Sequence, residues 1–275
     1  MLTLPHPASR LLLRSAALGL LAPFFVVLTG CQSIANAGAT SQVRVIDVSP
    51  DAPALDIVPT STSQPAPAAL YNVGFGAVSS YMQLAPGAWT HSAYTAGTQQ
   101  QIAQVRSSLV PGAQYTILTG NISAALQMSI LRDQSTPAPP GLVALRFLGA
   151  STRSALVDLY LIPSGSNGPS PGFAPVAANL SFGSNTGYRN LPAGAYSLVA
   201  LPAGASPYAT PLFTGSQTTY PAGAARTILL IDAPFARASA NLTEQPASSS
   251  GVSSDASDAP ALQVITAADY DAPAS

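Results

Sequence analysis

The chain has 275 residues, of which 47% are hydrophobic and only 8% are charged, and this length is enough for one or two domains. Its 26 prolines and 21 glycines interrupt the sequence too often for a protein of long helices. All 10 basic residues are arginines, which excludes Schiff-base chemistry through lysine, and a net charge of -1 with scattered arginines argues against nucleic acid as a partner.

Residues 1–30 have the pattern of a secretory signal peptide. Arg10 and Arg14 give a positively charged start, and an apolar stretch from Ser15 to Leu28 follows. This stretch is shorter than the roughly 20 apolar residues that a membrane-spanning helix needs. We therefore predict export of the chain.

Residues 28–31, Leu-Thr-Gly-Cys, resemble the lipobox of bacterial lipoproteins. The resemblance implies cleavage between Gly30 and Cys31, a diacylglycerol thioether on Cys31 and acylation of the new amino terminus, so that the lipid holds the protein on a membrane. Gln32 then favours the outer membrane if the host is Gram-negative. The alternative is an ordinary signal peptide with a cysteine there by chance. Cys31 is the only cysteine, so no intramolecular disulfide is available.

The remaining sequence contains two copies of one unit of about 100 residues, which indicates a domain duplication. Tyr81 in the first copy lies near the position of Tyr188 in the second. The matched blocks are 43–46 with 145–148, 56–58 with 158–160, 73–76 with 180–183, 84–89 with 191–196 and 111–118 with 222–229. Extra residues in the second copy fall between these blocks, where surface loops tolerate insertion.

Segments of four to eight residues with period-two alternation end at Pro-Gly or other glycine-containing turns throughout both copies. This pattern predicts an all-β chain with two tandem immunoglobulin-like antiparallel β-sandwich domains. The predicted organisation is a lipoprotein signal peptide (1–30), an anchor linker (31–41), a first sandwich (42–133), a Pro-rich linker (134–141), a second sandwich (142–246) and a disordered acidic tail (247–275).

The predicted tail is rich in Ser, Ala, Asp and Pro and has no arginine. Residues 238–275 carry five acidic and no basic residues, whereas residues 31–237 carry eight arginines against six aspartates. A solvated tail is one interpretation of this asymmetry, and an electrostatic attraction between the tail and the rest of the chain is the other.

The sequence offers few residues for acid–base chemistry. After the predicted signal peptide, His91 is the only histidine and Glu244 the only glutamate. Trp89 and His91 align with Tyr196 and Leu198 of the second copy, and alternate residues of a strand share a face. We therefore expect both side chains to face the core. A sugar-stacking role for Trp89 is the alternative.

Asp47, Asp51 and Asp56 lie close in sequence, and clustered carboxylates of this kind can bind calcium. Their spacing is not that of an EF-hand, and Asp51 in the Ser-Pro-Asp-Ala-Pro run is more simply a turn residue. Residues 74–76, Gly-Phe-Gly, lack the third glycine of a dinucleotide-binding loop. We predict no metal, no cofactor and no catalytic residue.

Residues 43–56, VRVIDVSPDAPALD, resemble the opening of a bacterial envelope domain, the domain-of-unknown-function family 4397. Tyr81 and residues 84–89 supply the tyrosine and the L-x-x-G block that follow in this family. Residues 151–158 of the second copy have lost the S-P-D-A-P run, and Asp47 stands where the family often has histidine. The resemblance covers residues 42–246 and implies tandem β-sandwich modules in secreted or anchored proteins, without an established activity. A fainter likeness is to the periplasmic alginate O-acetylation adaptor.

The leading hypothesis is a non-catalytic, lipid-anchored protein of the bacterial cell envelope that acts as a binding or structural module. Its partners would be the membrane, through the lipid on Cys31, and a polysaccharide or an envelope protein. The alternative is an accessory or adaptor subunit for exopolysaccharide modification or export. A hydrolase that uses His91 or a serine is a third hypothesis, from another functional class.

Overall fold

The computed structural model describes residues 39–65, 67–166, 168–170, 172–233 and 262–272. In its strands, successive side chains point to opposite faces of the sheet. In strand β1 (Ser41–Asp47), Val43 and Val45 point into one apolar core, while Ile46 on the opposite face enters another. Period-two patterning of this kind suits a strand that is buried on both faces.

Each copy of the repeat forms a set of strands. The first set is β1, β2 (Leu55–Thr60), β3 (Leu70–Val73), β4 (Met82–Leu84), β5 (Gly87–Thr95), β6 (Gln101–Leu109), β7 (Gln114–Gly120) and β8 (Gln127–Asp133), with a short 3-10 helix (Ser123–Ala125) between β7 and β8. The second set is β9 (Leu142–Gly149), β10 (Val157–Pro163), β11 (Ala177–Leu180), β12 (Asn185–Pro192), β13 (Gly194–Pro202), β14 (Phe213–Thr214), β15 (Thr218–Tyr220), β16 (Ala225–Asp232) and β17 (Leu262–Tyr270).

The two sets have the same topology. Sheet A has the order β4-β1-β7-β8 and sheet B the order β3-β2-β5-β6. Sheet C, in the order β12-β9-β16-β17, repeats sheet A, and sheet D, in the order β11-β10-β13-β14 with β15 also on β13, repeats sheet B. The all-β class and the tandem sandwiches predicted from the sequence are confirmed.

One strand pair in each sandwich departs from the predicted antiparallel arrangement. β1 pairs with β7 in parallel, and β9 pairs with β16 in parallel, whereas the other described pairs are antiparallel. Parallel neighbours require a long connection, which is provided by the five strands between β1 and β7 and by the six strands between β9 and β16.

Three of the apolar cores lie between the sheets and hold them together. The core between sheets A and B includes Val45, Ile57 and Ile117, and the core between sheets C and D includes Phe147 and Leu159. The third, here called the junction core, lies between sheets A and C. Its buried members are Ile46, Val48, Leu148, Ala150, Leu229, Ile231 and Ala267. The outer faces of sheets A and C therefore pack on each other within the unit Gly38–Ser275.

The predicted disordered tail is wrong for residues 262–270, which form β17 at the edge of sheet C. β17 pairs with β16 along its length, and Leu262 and Ala267 are buried. β17 is the counterpart of β8 in sheet A, so the second sandwich extends beyond its predicted end at residue 246. The region is rich in Ser, Ala and Asp, and this composition predicted disorder although apolar residues alternate within the segment. Residues 234–261 lie outside the described residues.

Candidate functional site

The predicted lipidation site, Cys31, and the predicted cleavage position at Gly30 lie outside the described residues. In the part of the chain that the structure describes, no helix has the length and apolar character to cross a membrane. Lipid attachment at Cys31 therefore stays a prediction.

His91 lies on β5 and faces the core of the first sandwich, as the alignment of the two copies predicts. Its side chain is buried, and Nε2 lies 3.0 Å from Oγ of Ser107 on β6. Burial lowers the pKa of the imidazole to about 4, so the ring is neutral at neutral pH. The geometry gives His91 a packing role, with one polar partner.

Trp89 also faces this core, which confirms the predicted packing and argues against the sugar-stacking alternative. The residue is 3% exposed, and its indole Nε1 donates a 2.8 Å hydrogen bond to the carbonyl of Ala85. A ring that stacks on a sugar needs an open face. The ring of Trp89 is instead enclosed.

The calcium alternative has no support in the geometry. Asp56 accepts the backbone N–H groups of Asn72 and Gly97, each at 2.9 Å, and Asp51 accepts the N–H of Ser123 at 2.7 Å. These bonds order loops, as expected of turn-forming carboxylates. No group of three metal-ligating acidic, histidine or cysteine residues occurs among the described residues.

Asp47 is the most deeply buried carboxylate of this group. Its Oδ1 accepts hydrogen bonds from the Ser49 N–H and the Thr119 hydroxyl, at 3.1 and 2.8 Å, whereas its buried Oδ2 has no hydrogen-bond partner among the described residues. Loss of hydration raises the pKa of the Asp47 carboxyl to about 6, against these two hydrogen bonds.

Eight polar residues between sheets A and C form what we call the junction network. Four come from the first copy and four from the matched positions of the second, and the members are Arg44, Tyr81, Thr116, Asp133, Arg146, Tyr188, Thr227 and Asp269. In each copy the threonine and tyrosine hydroxyls donate to the aspartate of the same copy. Each arginine lies over the tyrosine ring of its own copy, 4.7 to 4.8 Å from the centroid.

The ion pairs of the junction network are exchanged between the sandwiches. Arg146 of the second copy donates to Asp133 of the first at 2.6 Å, and Arg44 of the first donates to Asp269 of the second. Nη1 of Arg44 also donates to the Ala268 carbonyl at 2.6 Å. Both arginines are 2% exposed. The network therefore joins the two sandwiches, and its charges balance within the protein.

Burial raises the pKa of the hydroxyls of Tyr81 and Tyr188, so both stay protonated and act as donors. Every ionised group of the network faces a partner of opposite charge, which buried charges require. We assign the network a structural role, because its members are enclosed between two packed sheets.

A cleft of about 570 Å³ lies on the outer face of sheet D and is the best candidate for a binding site. Its walls come from two connections of the second copy, the described residues of the connection between β10 and β11 (164–166, 168–170 and 172–176) and residues 203–212 between β13 and β14. The corresponding connections of the first copy, residues 61–69 and 96–100, are shorter. The residues that lengthen the second copy therefore build the cleft.

The sheet beneath these loops also differs between the copies, because its outer face is apolar in the second copy and more polar in the first. In sheet D the outward residues Tyr160, Ile162, Val199 and Leu201 form a buried apolar cluster. The matched residues of sheet B are Val58, Thr60, Ser92 and Tyr94. An apolar outer face has to be covered, and in the second copy the two long connections cover it.

Two aromatic side chains project from turns at the walls of the cleft. Tyr208 is 78% exposed and follows Pro207 in a turn closed by a 2.9 Å hydrogen bond from the Ala209 N–H to the Ser206 carbonyl. Phe173 is 39% exposed, and its N–H donates to the Ser170 carbonyl at 3.0 Å. Neither residue was predicted from the sequence as part of a site. The available signal was an aromatic residue within each insertion of the second copy.

A smaller groove of about 320 Å³ lies beside Phe182, at the rim of the junction core. Phe182 is 37% exposed there and faces the small residues Gly120 and Ser129. The matched Phe75 packs into the junction core, where Ile231 and Ile265 occupy the corresponding positions. The groove follows from the smaller side chains on this side of the junction.

A family model described as a domain of unknown function, DUF4397, matches residues 41–160, which comprise the first sandwich, β9 and part of β10. The resemblance drawn from residues 43–56 is thus confirmed for this span. A comparison with curated proteins finds no match.

Three solved structures are similar to the chain over 69% of its length. The first, described as "Alpha-glucan binding by a streptococcal virulence factor", has 10% identity and a TM-score of 0.24 over 92% of that chain. The second, a family 26 carbohydrate-binding module from Eubacterium rectale in complex with maltoheptaose, has 11% identity and a TM-score of 0.22 over 91% of that chain. The third, a leucine-rich repeat protein from Bacteroides thetaiotaomicron, has 15% identity and a TM-score of 0.18 over 25% of that chain. At these TM-scores the similarities carry no functional argument.

Proposed function

We propose that this chain is a non-catalytic binding protein of the bacterial cell envelope, held on the membrane by lipid on Cys31. Its ligand site is the cleft on sheet D. The observation that carries the proposal is that both insertions of the second copy cover one apolar sheet face and present Phe173 and Tyr208 to solvent. Apolar clefts with exposed aromatic residues are the usual form of a ligand site.

The chemistry of the cleft supports binding rather than turnover. Among the described residues that line it there is no histidine, aspartate, glutamate, lysine or arginine, and these are the residues that usually transfer protons at neutral pH. His91 lies in the other sandwich, buried and neutral. An enzyme at this cleft would lack a general acid or base.

We further propose that the second sandwich is a diverged copy of the DUF4397 domain matched by the first. The shared strand order and the paired positions of the junction network support this origin. Divergence is concentrated in the cleft loops and in the sheet face beneath them.

The anchor is tested by labelling the full-length protein with radioactive palmitate in growing bacteria. We expect label in the wild-type chain and none in Cys31→Ser, and we expect globomycin to cause the uncleaved precursor to accumulate. An unlabelled wild-type chain that is processed normally under globomycin would refute lipid attachment. This test leaves the cleft proposal untouched.

The cleft is tested by mixing the detergent-solubilised full chain with delipidated envelopes from cells that lack the protein and measuring the fraction that sediments. We expect Tyr208→Ala to reduce this fraction and Tyr71→Ala to leave it unchanged. Tyr71 is a matched control because it is 73% exposed and lies on β3 of sheet B, in the first sandwich. Equal sedimentation of wild type and Tyr208→Ala would overturn the proposal.

An accessory role in exopolysaccharide modification or export is the second candidate. The open aromatic cleft favours it, since a polymer chain needs a site accessible from the side. Co-purification of the chain with an exopolysaccharide export or modification complex, lost in Tyr208→Ala, would support this role. Normal exopolysaccharide in a deletion strain would count against it.

A further inference from the structure

We infer that the cleft on sheet D takes an uncharged saccharide chain, an inference that rests on the proposed ligand site. Eleven of the described residues line the cleft: Ser166, Gly168, Pro169, Ser170, Phe173, Val199, Pro207, Tyr208, Ala209, Pro211 and Thr214. None of them is charged at neutral pH. An acidic polymer bound here would lose hydration without gaining a cation, which is unfavourable. The lining therefore selects for a neutral ligand.

The aromatic residues of the cleft favour a ligand with flat apolar faces. Tyr208 and Phe173 are exposed on opposite connections, and Val199 of sheet D contributes to the apolar lining between them. The C–H faces of a pyranose ring pack on aromatic rings, while its hydroxyls stay at the edge. An amphipathic ring such as tyrosine suits this contact, because its polar end can remain in water.

Hydroxyl groups in the cleft supply the polar part of the recognition. The side chains of Ser166, Ser170 and Thr214 line the cleft, and none of these hydroxyls has a hydrogen-bond partner among the described residues. A hydroxyl both donates and accepts, so it matches the hydroxyls of a sugar. Charged ligands would instead select arginine or lysine at these positions.

A peptide fits this cleft less well than a saccharide. Extended peptides bind by adding a strand to a free sheet edge, which requires unused backbone N–H groups. The N–H groups of Phe173, Tyr208 and Ala209 already donate within the wall turns, to the Ser170 carbonyl, the Ser206 hydroxyl and the Ser206 carbonyl. These three N–H groups are therefore not available to pair with a peptide backbone.

The test is affinity electrophoresis of the detergent-solubilised full chain in gels that contain one polysaccharide each. Neutral probes are dextran, a β-1,3-glucan and galactomannan, and acidic probes are alginate and polygalacturonate. We expect retardation by at least one neutral probe, at nearly equal strength in about 0.05 M and about 0.5 M salt, because salt screens only charge–charge attraction.

Tyr208→Ala should weaken this binding about tenfold or more, as truncation of a central aromatic contact does. Tyr208→Phe keeps the ring and should stay within about threefold of wild type, while Tyr71→Ala should bind like wild type. Retention of wild-type affinity by Tyr208→Ala would overturn the inference.

The remaining outcomes separate this inference from the proposed function. Binding only to acidic probes, abolished at the higher salt concentration, overturns the neutral saccharide. Absence of binding to every polysaccharide also overturns it. The cleft would still be a ligand site if envelope sedimentation remained sensitive to Tyr208→Ala, and would not be one if that sensitivity were absent.

Discussion

Asp133 accepts a 2.6 Å hydrogen bond from Arg146, a residue of the opposite sandwich. The reciprocal pair, Arg44 with Asp269, makes the junction approximately two-fold symmetric. Nη2 of Arg44 also lies 3.8 Å from Oδ2 of Asp133, so two cations and two anions form one buried cluster. Removal of one member leaves an uncompensated charge between the sheets, and this makes the junction sensitive to single substitutions.

Asp269→Ala should destabilise the fold by about 3–5 kcal/mol, because it leaves the buried Arg44 guanidinium without its carboxylate. The measurement is urea-induced unfolding of the full chain at neutral pH. Asp271→Ala is the control, since Asp271 pairs with Arg226 through a largely exposed side chain and should cost less than about 1 kcal/mol. Equal effects of the two substitutions would contradict a structural role for the junction network.

Asp47→Asn should change how stability depends on pH. The folded-state pKa of about 6 exceeds the ordinary value of 3.8, so the folded state holds the proton more tightly and wild-type stability falls as the pH rises through this range. The amide carries no charge and avoids this loss. Relative to wild type, the variant should gain about 2–3 kcal/mol between pH 4 and pH 8.

The free energy of unfolding of wild type and of Asp47→Asn is measured by urea unfolding across this pH range. Asp51→Asn serves as the control for the same substitution at an exposed aspartate. Parallel profiles for wild type and Asp47→Asn would show that the buried carboxylate is not the titrating group.

His91→Leu should remove an acid-sensitive contribution to stability. The folded-state pKa of about 4 lies below the ordinary value of 6.5, so wild-type stability is fully present above that value and falls as the pH drops towards 4. Leucine is the residue at the matched position of the second copy, Leu198, which is buried in the core there. The loss of stability on acidification should be smaller in the variant by about 2–3 kcal/mol, as measured by urea unfolding. An unchanged acid dependence would argue against a buried neutral imidazole.

Gly149→Ala should destabilise the second sandwich by about 1–3 kcal/mol or more, as overpacking does. A Cβ at this position would lie 2.0 Å from the carbonyl oxygen of Ser181, so the backbone of the adjacent loop would have to move. Gly74→Ala is the control, because its Cβ would meet nothing within 4 Å and its backbone adopts an ordinary conformation. The stability of both variants is measured by thermal unfolding. If Gly149→Ala were as stable as wild type, the loop that contains Ser181 would be free to shift.

The strands and the duplication could be predicted from the sequence because both leave local patterns. Alternation over a few residues identifies a strand, and the similarity of the two copies aligns Arg44 with Arg146 and places Tyr81 near Tyr188. The position of Asp269, the acidic partner of Arg44, is not indicated by any such local pattern. Asp269 lies 225 positions after Arg44, in a segment whose composition suggested disorder. Electrostatic attraction between this segment and the body was one of two interpretations of the charge asymmetry, and residues 262–270 do pack on the body.

The cleft could not be predicted, for a related reason. Its walls are connections without periodicity, and such segments carry no signal for the direction in which a side chain points. The prediction that insertions fall in surface loops was correct, but it gave no role to Phe173 or Tyr208. Their placement depends on individual turns and on the apolar face of sheet D beneath them.

The separation between Arg44 and Asp269 in the sequence also determines when the two sandwiches can pack together during synthesis of the chain. A ribosome adds 225 residues after Arg44 before its carboxylate partner exists, so the guanidinium must remain hydrated throughout that interval. If sheets A and C packed on each other earlier, the Arg44 guanidinium would be buried without its carboxylate partner. A chain secreted in the unfolded state meets this condition automatically, whereas a product interrupted before residue 262 would be left with an unpaired arginine and a bare edge of β16.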